Sequence, residues 1–466
     1  MESLRGVAAG VAASHPVTAE VGVQIMRAGG TAADAAVAAV LTTCVAETIY
    51  TGLGGGGFAT YFDAATGEIT CLDFFVSVPG TDGDRQPGPM IAVDVFFGGM
   101  PQVYSIGGAS VAVPGVPAGC GEVHRRWGRL PWADVVAPAA ALARTGVVLP
   151  AAQARTLVSC APALAYGEGA LCYTPNGKLL EGGDVLFHPG LATAMEGLAA
   201  EGPSVFYTGA FAHVLVDAVR SSGGALGPLD LASYRVQETR VDHASLGDYR
   251  VRARHDFNRT VETIAAFKPS PDRPERAVSL AAALRDHGRQ KIGNTTNVSV
   301  VDAEGNACVI TTTLGLGAAV WLPGLGVNMN SMLGEGELIT DDLAPGKRMS
   351  SNMCPLVVID PFGGLAVAAG SAGASRIRTA LIDTLLGVLV DGLDMSGAIG
   401  RPRFHVVDDT VHAEAGYPED ELSALADAGW TISRWPDLNH YFGGVTAVGA
   451  GGAAGDPRRG GVGLLL

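Results

Sequence analysis

No two cysteines of this chain stand at CxxC spacing. The seven present, Cys44, Cys71, Cys120, Cys160, Cys172, Cys308 and Cys354, are odd in number and widely spaced. That argues against both a disulfide framework and a zinc site, and for reduced, mostly buried thiols in a cytoplasmic protein. No apolar run long enough to cross a bilayer is free of charges or of Gly and Pro breaks, so no transmembrane helix is indicated. The opening Met1-Glu-Ser-Leu-Arg-Gly6 lacks a basic stretch followed by an apolar one, and no signal peptide is visible. Charge is also scarce, at 17% of residues, and the net charge is −15. Such a surface repels phosphate backbones and anionic lipid, which argues against nucleic acid or membrane as the main partner.

What is abundant is apolar and small. The 466 residues are 48% hydrophobic and include 65 Gly, ample material for a packed core in two or three domains or one large one. Ser14-His-Pro16 leads into a helical pattern from Thr18 to Ala28, which Gly29-Gly30 stops. Thr31-Ala-Ala-Asp34 reads as a capping-box start for an Ala-rich helix that packs closely on a neighbour. Gly52-Leu-Gly-Gly-Gly-Gly57 satisfies the pattern G-x-G-x-x-G. A dinucleotide site needs that pattern after a strand and before a helix. Here a helix precedes it and a strand-like Phe58–Phe62 follows, so it reads as a turn where backbone passes close to backbone.

Between 110 and 160 a loop gives way to helices, with Pro114, Pro117, Pro131 and Pro138 marking breaks. Residues 186–238 read as largely helical. The charged, Pro-containing stretch 255–290 suits an exposed linker holding a helix-like segment, Val278–Gly288. Then Asn297–Asp302 and Ala307–Thr313 read as strands joined at Glu304-Gly-Asn306. Pro355–Ile359 and Gly364–Ala369 read as a hairpin around Asp360-Pro-Phe-Gly363, followed by a helix over Ile377–Leu389. Strands paired with helices predict a layered α+β protein.

A hydroxyl is a weak nucleophile at neutral pH and needs a base beside it. A Thr that became a chain terminus would carry that base itself, as an α-amine with a pKa near about 8. Thr295, between Asn294 and Thr296 and at the start of a strand, has the rigid mounting this requires. Context alone does not distinguish it from an ordinary strand-start Thr.

From residue 14 to its end the chain resembles the γ-glutamyltranspeptidase family. The resemblance rests on six ordered motifs: Ser14-His-Pro with Gly29–Val37, Gly52–Phe58, Thr295-Thr296 with Ser299–Asp302 and Gly305-Asn306, Lys347–Pro355, Gly370–Ile377, and Arg401–His405. It implies a four-layer αββα sandwich of the N-terminal-nucleophile hydrolase type, with no metal and no cofactor. It also implies self-cleavage between Asn294 and Thr295 into a helix-rich large subunit, 1–294, and a small subunit, 295–466, intertwined as one structural domain. The partners are then a small-molecule substrate and the chain's own two subunits. The oligomeric state stays open, a homo-oligomer included.

By position, the resemblance makes Thr295 the nucleophile and Thr313 the Thr that hydrogen-bonds it. Ser350 and Ser351 match a Ser pair that holds a donor carboxylate. Gly373 and Ala374 match the two oxyanion-hole amides, Ala keeping the N–H. Glu335 matches a carboxylate that binds the donor's α-amino group, although a solvated surface acid fits it equally.

Departures bear on the substrate. In Asp73-Phe74-Phe75-Val76, Phe75 stands where the family has the Arg that clamps a glutamyl carboxylate, and Gly315 stands where it has an Asn. The usual His after the two Thr is Asn297, and no Pro-Ser-Ser-Gly-Gly stretch follows Asp248-Tyr-Arg250. Losing the Arg removes a charge-assisted hydrogen bond of about 1.5–3 kcal/mol. Arg252, Arg254 and Arg259 are the candidate substitute cations. The expected activity is Thr-dependent acyl hydrolysis or transfer on a non-standard substrate. Three alternatives stand beside it. One is hydrolysis of a carbon–carbon bond, as in family members that remove an oxalyl-type group from 4-alkylproline precursors in actinobacterial antibiotic pathways. The others are true glutathione hydrolase or transpeptidase activity and an inactive scaffold.

Overall fold

The computed structural model describes residues 7–97, 100–255, 258–285, 294–335, 338–339 and 343–466. Its strands, in chain order, are β1 (Gly10–Ala13), β2 (Gly56–Phe62), β3 (Ile69–Phe74), β4 (Ile91–Phe97), β5 (Met100–Ile106), β6 (Gln237–Thr239), β7 (Val241–Leu246) and β8 (Tyr249–Arg254). They continue with β9 (Thr296–Val301), β10 (Ala307–Thr313), β11 (Leu356–Ile359), β12 (Leu365–Ala372), β13 (Gly444–Gly449), β14 (Gly452–Gly455) and β15 (Val462–Leu465). One seven-stranded sheet runs β15-β1-β9-β10-β2-β3-β6, and a six-stranded sheet runs β14-β13-β12-β11-β8-β7. Neighbouring strands are antiparallel in both. Strands from before residue 294 and after residue 295 interleave in the first sheet, and in the second β8 and β7 extend a block of four later strands.

The helices that matter here are α1 (Pro16–Arg27), α2 (Ala32–Ala46), α3 (Val116–Trp127), α4 (Trp132–Thr145), α5 (Ala151–Leu164), α6 (Thr260–Ala266), α7 (Arg273–Leu284) and α8 (Arg376–Leu389). α2 is buried on every face, and its Ala-rich surface lets α1, α4 and β9 approach closely. α8 packs against β12 and β13 on the far side of the second sheet. The layers are thus helix, sheet, sheet, helix: an αββα sandwich.

Strand alternation assigns each face its job. On β9 and β10, Val298, Val300, Cys308 and Ile310 join the core under α2, while Val301, Ala307 and Val309 join a thin core between the sheets with Val357, Ala368 and Val448. Asn297 belongs to that inter-sheet face. Its amide lies 2.6 Å from Thr446 Oγ1 and 2.5 Å from Thr311 Oγ1. A Cβ on Gly370 of β12 would fall 1.9 Å from the Asn297 side chain, so only glycine permits this sheet-to-sheet approach.

The expected elements around Thr31, Gly52–Phe62, Asn297–Thr313, Pro355–Ala369 and Ile377–Leu389 are present. Two expectations need correction. Pro138 does not break a helix. It lies inside α4, where the buried Val135, Val136, Ala139, Ala140 and Ala143 hold the helix despite one missing backbone bond. Nor is 255–285 an exposed linker. α6 and α7 bury Val261, Ile264, Leu280, Ala281 and Leu284 under the second sheet. α7 starts at Arg273 rather than Val278, because Asp272 caps it by accepting from the Glu275 N–H and Pro274 suits a first turn. Residues 286–288 of the expected helix lie outside the described residues. All seven cysteines are free and buried. Among the described residues no helix is long and apolar enough to cross a membrane.

Asp34 ties the start of α2 to the loop between α3 and α4. Its Oδ2 accepts from the N–H groups of Thr31 (3.0 Å), Arg129 (2.9 Å) and Leu130 (3.3 Å). Asp34→Ala leaves these donors unpaired and is expected to cost about 2–4 kcal/mol, read as a lowered urea midpoint.

Candidate active site

Thr295 immediately precedes β9 and is 4% exposed. By alternation its side chain shares the inter-sheet face with Asn297. The peptide joining Asn294 to Thr295 is gripped on both sides. The Asn294 side-chain amide donates to the Ile49 carbonyl (3.0 Å) and to Cys160 Sγ (3.2 Å). The Asn294 backbone carbonyl accepts a short hydrogen bond from Thr313 Oγ1, at the end of β10. The Thr313 oxygen in turn accepts from the Gly315 N–H at 3.0 Å, which fixes the hydroxyl's direction. The Thr295 carbonyl accepts from Arg459 Nη1 at 3.4 Å.

The glycine run places these groups. Gly55 sits where a Cβ would fall 2.2 Å from the Thr313 carbonyl, so the turn before β2 closes only with glycine there.

Gly373 and Ala374 follow β12 at the same end of the sandwich. Ala372 pairs with Gly444 on β13, and the Arg459 side chain that reaches Thr295 lies against Gly444. Gly373 has φ 126°, and a Cβ there would meet Gly443 Cα at 2.8 Å. Ala374 has φ 51°, a left-handed conformation that costs a non-glycine residue about 1–3 kcal/mol. Such strain clusters at active sites and ligand clamps.

The remaining candidates form a second cluster. Phe75 is fully buried and stacks on Phe58 with ring centroids 5.5 Å apart. The Arg254 guanidinium lies over the Phe58 ring at 3.8 Å, donates to the Met353 carbonyl at 2.9 Å, and makes a short bond to the Ser351 carbonyl. Arg254, at 2% exposure, therefore holds the backbone of the Ser350–Ser351 segment. Ser351 Oγ accepts from the Met353 N–H at 3.2 Å, and Ser350 is half-buried. Arg348 pairs with Asp73 (3.3 Å) and donates to the Phe75 carbonyl. Phe75 adjoins Val76, whose N lies 2.9 Å from an ideal Gly56 Cβ, and Gly56 pairs with Thr313. Glu335 is half-buried, and its Oε1 accepts from the Tyr104 hydroxyl at 2.6 Å. Thus Asn294, Thr295 and Thr313 meet directly, Gly373-Ala374 sits across the sheet interface, and Glu335, Ser350, Ser351 and Phe75 are joined to them through neighbours.

Sequence reasoning missed Glu47, the residue capping the C-terminus of α2. It is fully buried and accepts from Thr296 Oγ1 (2.5 Å) and Thr18 Oγ1 (2.9 Å), anchoring the residue after Thr295. Burial pushes its carboxyl up to about 7 against the pull of those hydroxyls and of Arg459. An acid between an Ala-rich helix and a glycine run was the available signal. Arg459, in Pro457-Arg-Arg-Gly460, carried none, since it reads as a surface turn.

Two stacked antiparallel sheets between helical layers define the N-terminal-nucleophile hydrolase fold. The cephalosporin acylase of Bacillus halodurans shares it, with TM-score 0.82 at 21% identity over 98% of this chain and 96% of that one. The chain belongs to the gamma-glutamyltranspeptidase family, whose model matches residues 18–256 and 258–465. It is an enzyme of that class. Glutathione hydrolase 5 proenzyme of Rattus norvegicus is 27% identical, covering 91% of this chain and 86% of that protein. Acylase ACY 1 proenzyme of Pseudomonas sp. strain SE83 is also 27% identical, covering 94% and 89%.

Raising the Glu47 carboxyl from 4.5 to about 7 means that the folded protein holds its proton where the unfolded chain has lost it. That stabilisation is full below the unfolded value and is lost as pH rises through the folded one. Wild type should therefore lose about 2 kcal/mol relative to Glu47→Gln between pH 5 and pH 8. Urea midpoints, taken in a Thr295→Ala background so that both chains stay whole, read the difference. A difference that does not change with pH would mean the carboxyl titrates normally.

Proposed function

We propose that the chain cuts its own backbone between Asn294 and Thr295, giving subunits 1–294 and 295–466. It then works as a hydrolase with Thr295 as nucleophile, on an acyl compound other than a γ-glutamyl one. The observation that carries this is the hydrogen bond from Thr313 Oγ1 to the Asn294 backbone carbonyl, at the peptide that leads into β9.

In the cut, Thr295 Oγ1 attacks the Asn294 carbonyl carbon while Thr313 stabilises the developing oxyanion. The C–N bond breaks, the hydroxyl proton passes to the nitrogen, and an ester on Oγ1 remains for water to hydrolyse. Thr295 then has a free α-amine as its base. In turnover the same oxygen takes the substrate's acyl group and the leaving group takes the proton. The N–H groups of Gly373 and Ala374 face the oxyanion, and water releases the acid.

The substrate reading rests on Phe75. Its ring is packed on Phe58, and Arg254 is committed to the backbone at 351 and 353. A glutamyl carboxylate therefore finds a phenyl ring at position 75, where the family supplies its arginine clamp. The likeness to acylase proenzymes supports an amide with a different acyl chain. Cleavage of a carbon–carbon bond beside an activated ketone would pass through the same Thr295 ester.

Treatment with p-nitrophenyl butanoate should give a burst of nitrophenol and an acyl group on the peptide beginning at Thr295. Acyl label elsewhere, or none, counts against the nucleophile, and efficient turnover of γ-glutamyl p-nitroanilide counts against the substrate reading. Thr313→Val should slow the backbone cut by about 10²–10³-fold, followed by mass spectrometry over time.

A further inference from the structure

The Asn294 side chain is fully buried, in a niche built by elements from earlier in the chain. Ile49, Tyr50 and Cys160 of α5 belong to one small core, and the Tyr50 hydroxyl ties the turn after α2 to α5 by donating to Thr156 Oγ1 at 3.1 Å. The Asn294 carboxamide nitrogen uses both its protons in this niche, on the Ile49 carbonyl at 3.0 Å and on Cys160 Sγ at 3.2 Å. A carboxamide oxygen in that place would face a carbonyl, so the two donors fix which way the amide points. The Asn294 Oδ1 has no hydrogen-bond partner among the described residues. An unpaired buried acceptor destabilises a fold, so packing does not account for a carboxamide here, where Leu would fill the same space without that loss. The same turn reaches the Asn294–Thr295 peptide by two further routes. The Tyr50 carbonyl accepts from the Leu314 N–H at 3.2 Å, beside the Thr313 whose hydroxyl binds the Asn294 backbone carbonyl. The Tyr50 ring lies under the Arg459 guanidinium at 4.9 Å, and Arg459 binds the Thr295 carbonyl.

We propose that the Asn294 carboxamide positions the chain for self-cleavage, anchored by the Ile49 carbonyl and the Cys160 thiol so that the scissile carbonyl is held against Thr313. The inference rests on the Asn294–Thr295 bond being the one that is cut. The side chain moves no proton and touches no reacting atom. Its anchor and the two backbone carbonyl contacts give the peptide three fixed points, all of them linked to residues 49 and 50. Without the anchor two points remain, the peptide plane can turn about them, and a misplacement of about 1 Å slows a reaction about 10²-fold. Sulfur is a weak acceptor, so the bond to Ile49 carries more of the effect than the bond to Cys160.

The test follows the full chain by mass spectrometry from the end of its cell-free synthesis. Asn294→Asp keeps the shape without the N–H pair, and Asn294→Leu fills the niche with an apolar group. Both should cut at least about 30-fold more slowly than wild type. Cys160→Ala should cut about three- to ten-fold more slowly, and Cys160→Ser, whose hydroxyl accepts the same N–H, should return to within about two-fold of wild type. Urea midpoints of the same substitutions in a Thr295→Ala background separate positioning from folding, because no cut intervenes there. Asn294→Leu should slow the cut while its midpoint holds or rises. Asn294 variants that cut within about three-fold of wild type, a loss of rate that follows the loss of midpoint across the set, or a Cys160→Ser as slow as Cys160→Ala would overturn the proposal. If the Asn294 variants do not fold, the two Cys160 variants decide it. A wild type that is not cut overturns the self-cleavage reading and this inference together, whereas a cut wild type with unslowed variants overturns this inference alone.

Discussion

The close contact of two antiparallel sheets governs the rest of the structure. Asn297 reaches across to Thr446 and into the space left by Gly370, and this fixes which face of β9 looks at the second sheet. With a period of two, a slip of one residue would turn Thr295 and Thr313 toward α2 and bring Glu47's partner Thr296 between the sheets. The polar contacts at 297, 299, 311 and 446 would be unmade in any such register, and each orphaned buried group costs about 1–3 kcal/mol. The inter-sheet core is thin and built from small residues, and the polar cluster supplies the specificity that volume cannot.

From that register the site follows by local contacts. The Asn294–Thr295 peptide is held by Ile49, Cys160, Thr313 and Arg459, contributed by segments on both sides of the junction. Glu47 pins the next residue from the opposite face of the sheet. A peptide clamped in this way has little freedom to relax, which is the preorganisation the proposed cut requires. Thr313 ends β10, Thr295 adjoins β9 and Gly373-Ala374 adjoin β12, so each group proposed to touch the reacting atoms lies at the end of a strand.

Much of this was legible in the chain itself. The capping box at Thr31, the glycine run, the paired strands around Glu304–Asn306 and the hairpin at Asp360 are short-range patterns, and local physics sets them. Thr313 was legible through the family resemblance, and the register that sets Thr296 opposite Thr312 brings it beside residue 294. Glu47, Tyr104 and Arg459 were not, because their partners lie 249, 231 and 164 residues away and their own neighbourhoods are unremarkable. The segment around Lys268–Pro274 misled for another reason. Its prolines and charges describe a helix start as well as they describe a linker, and only the core beneath the second sheet decides between them.

The denatured mass of purified wild type beside Thr295→Ala tests the central claim most directly. The account predicts two wild-type fragments, 1–294 and 295–466, and a single uncut chain for the variant. A wild type that stays whole, or a variant cut at the same bond, would contradict it.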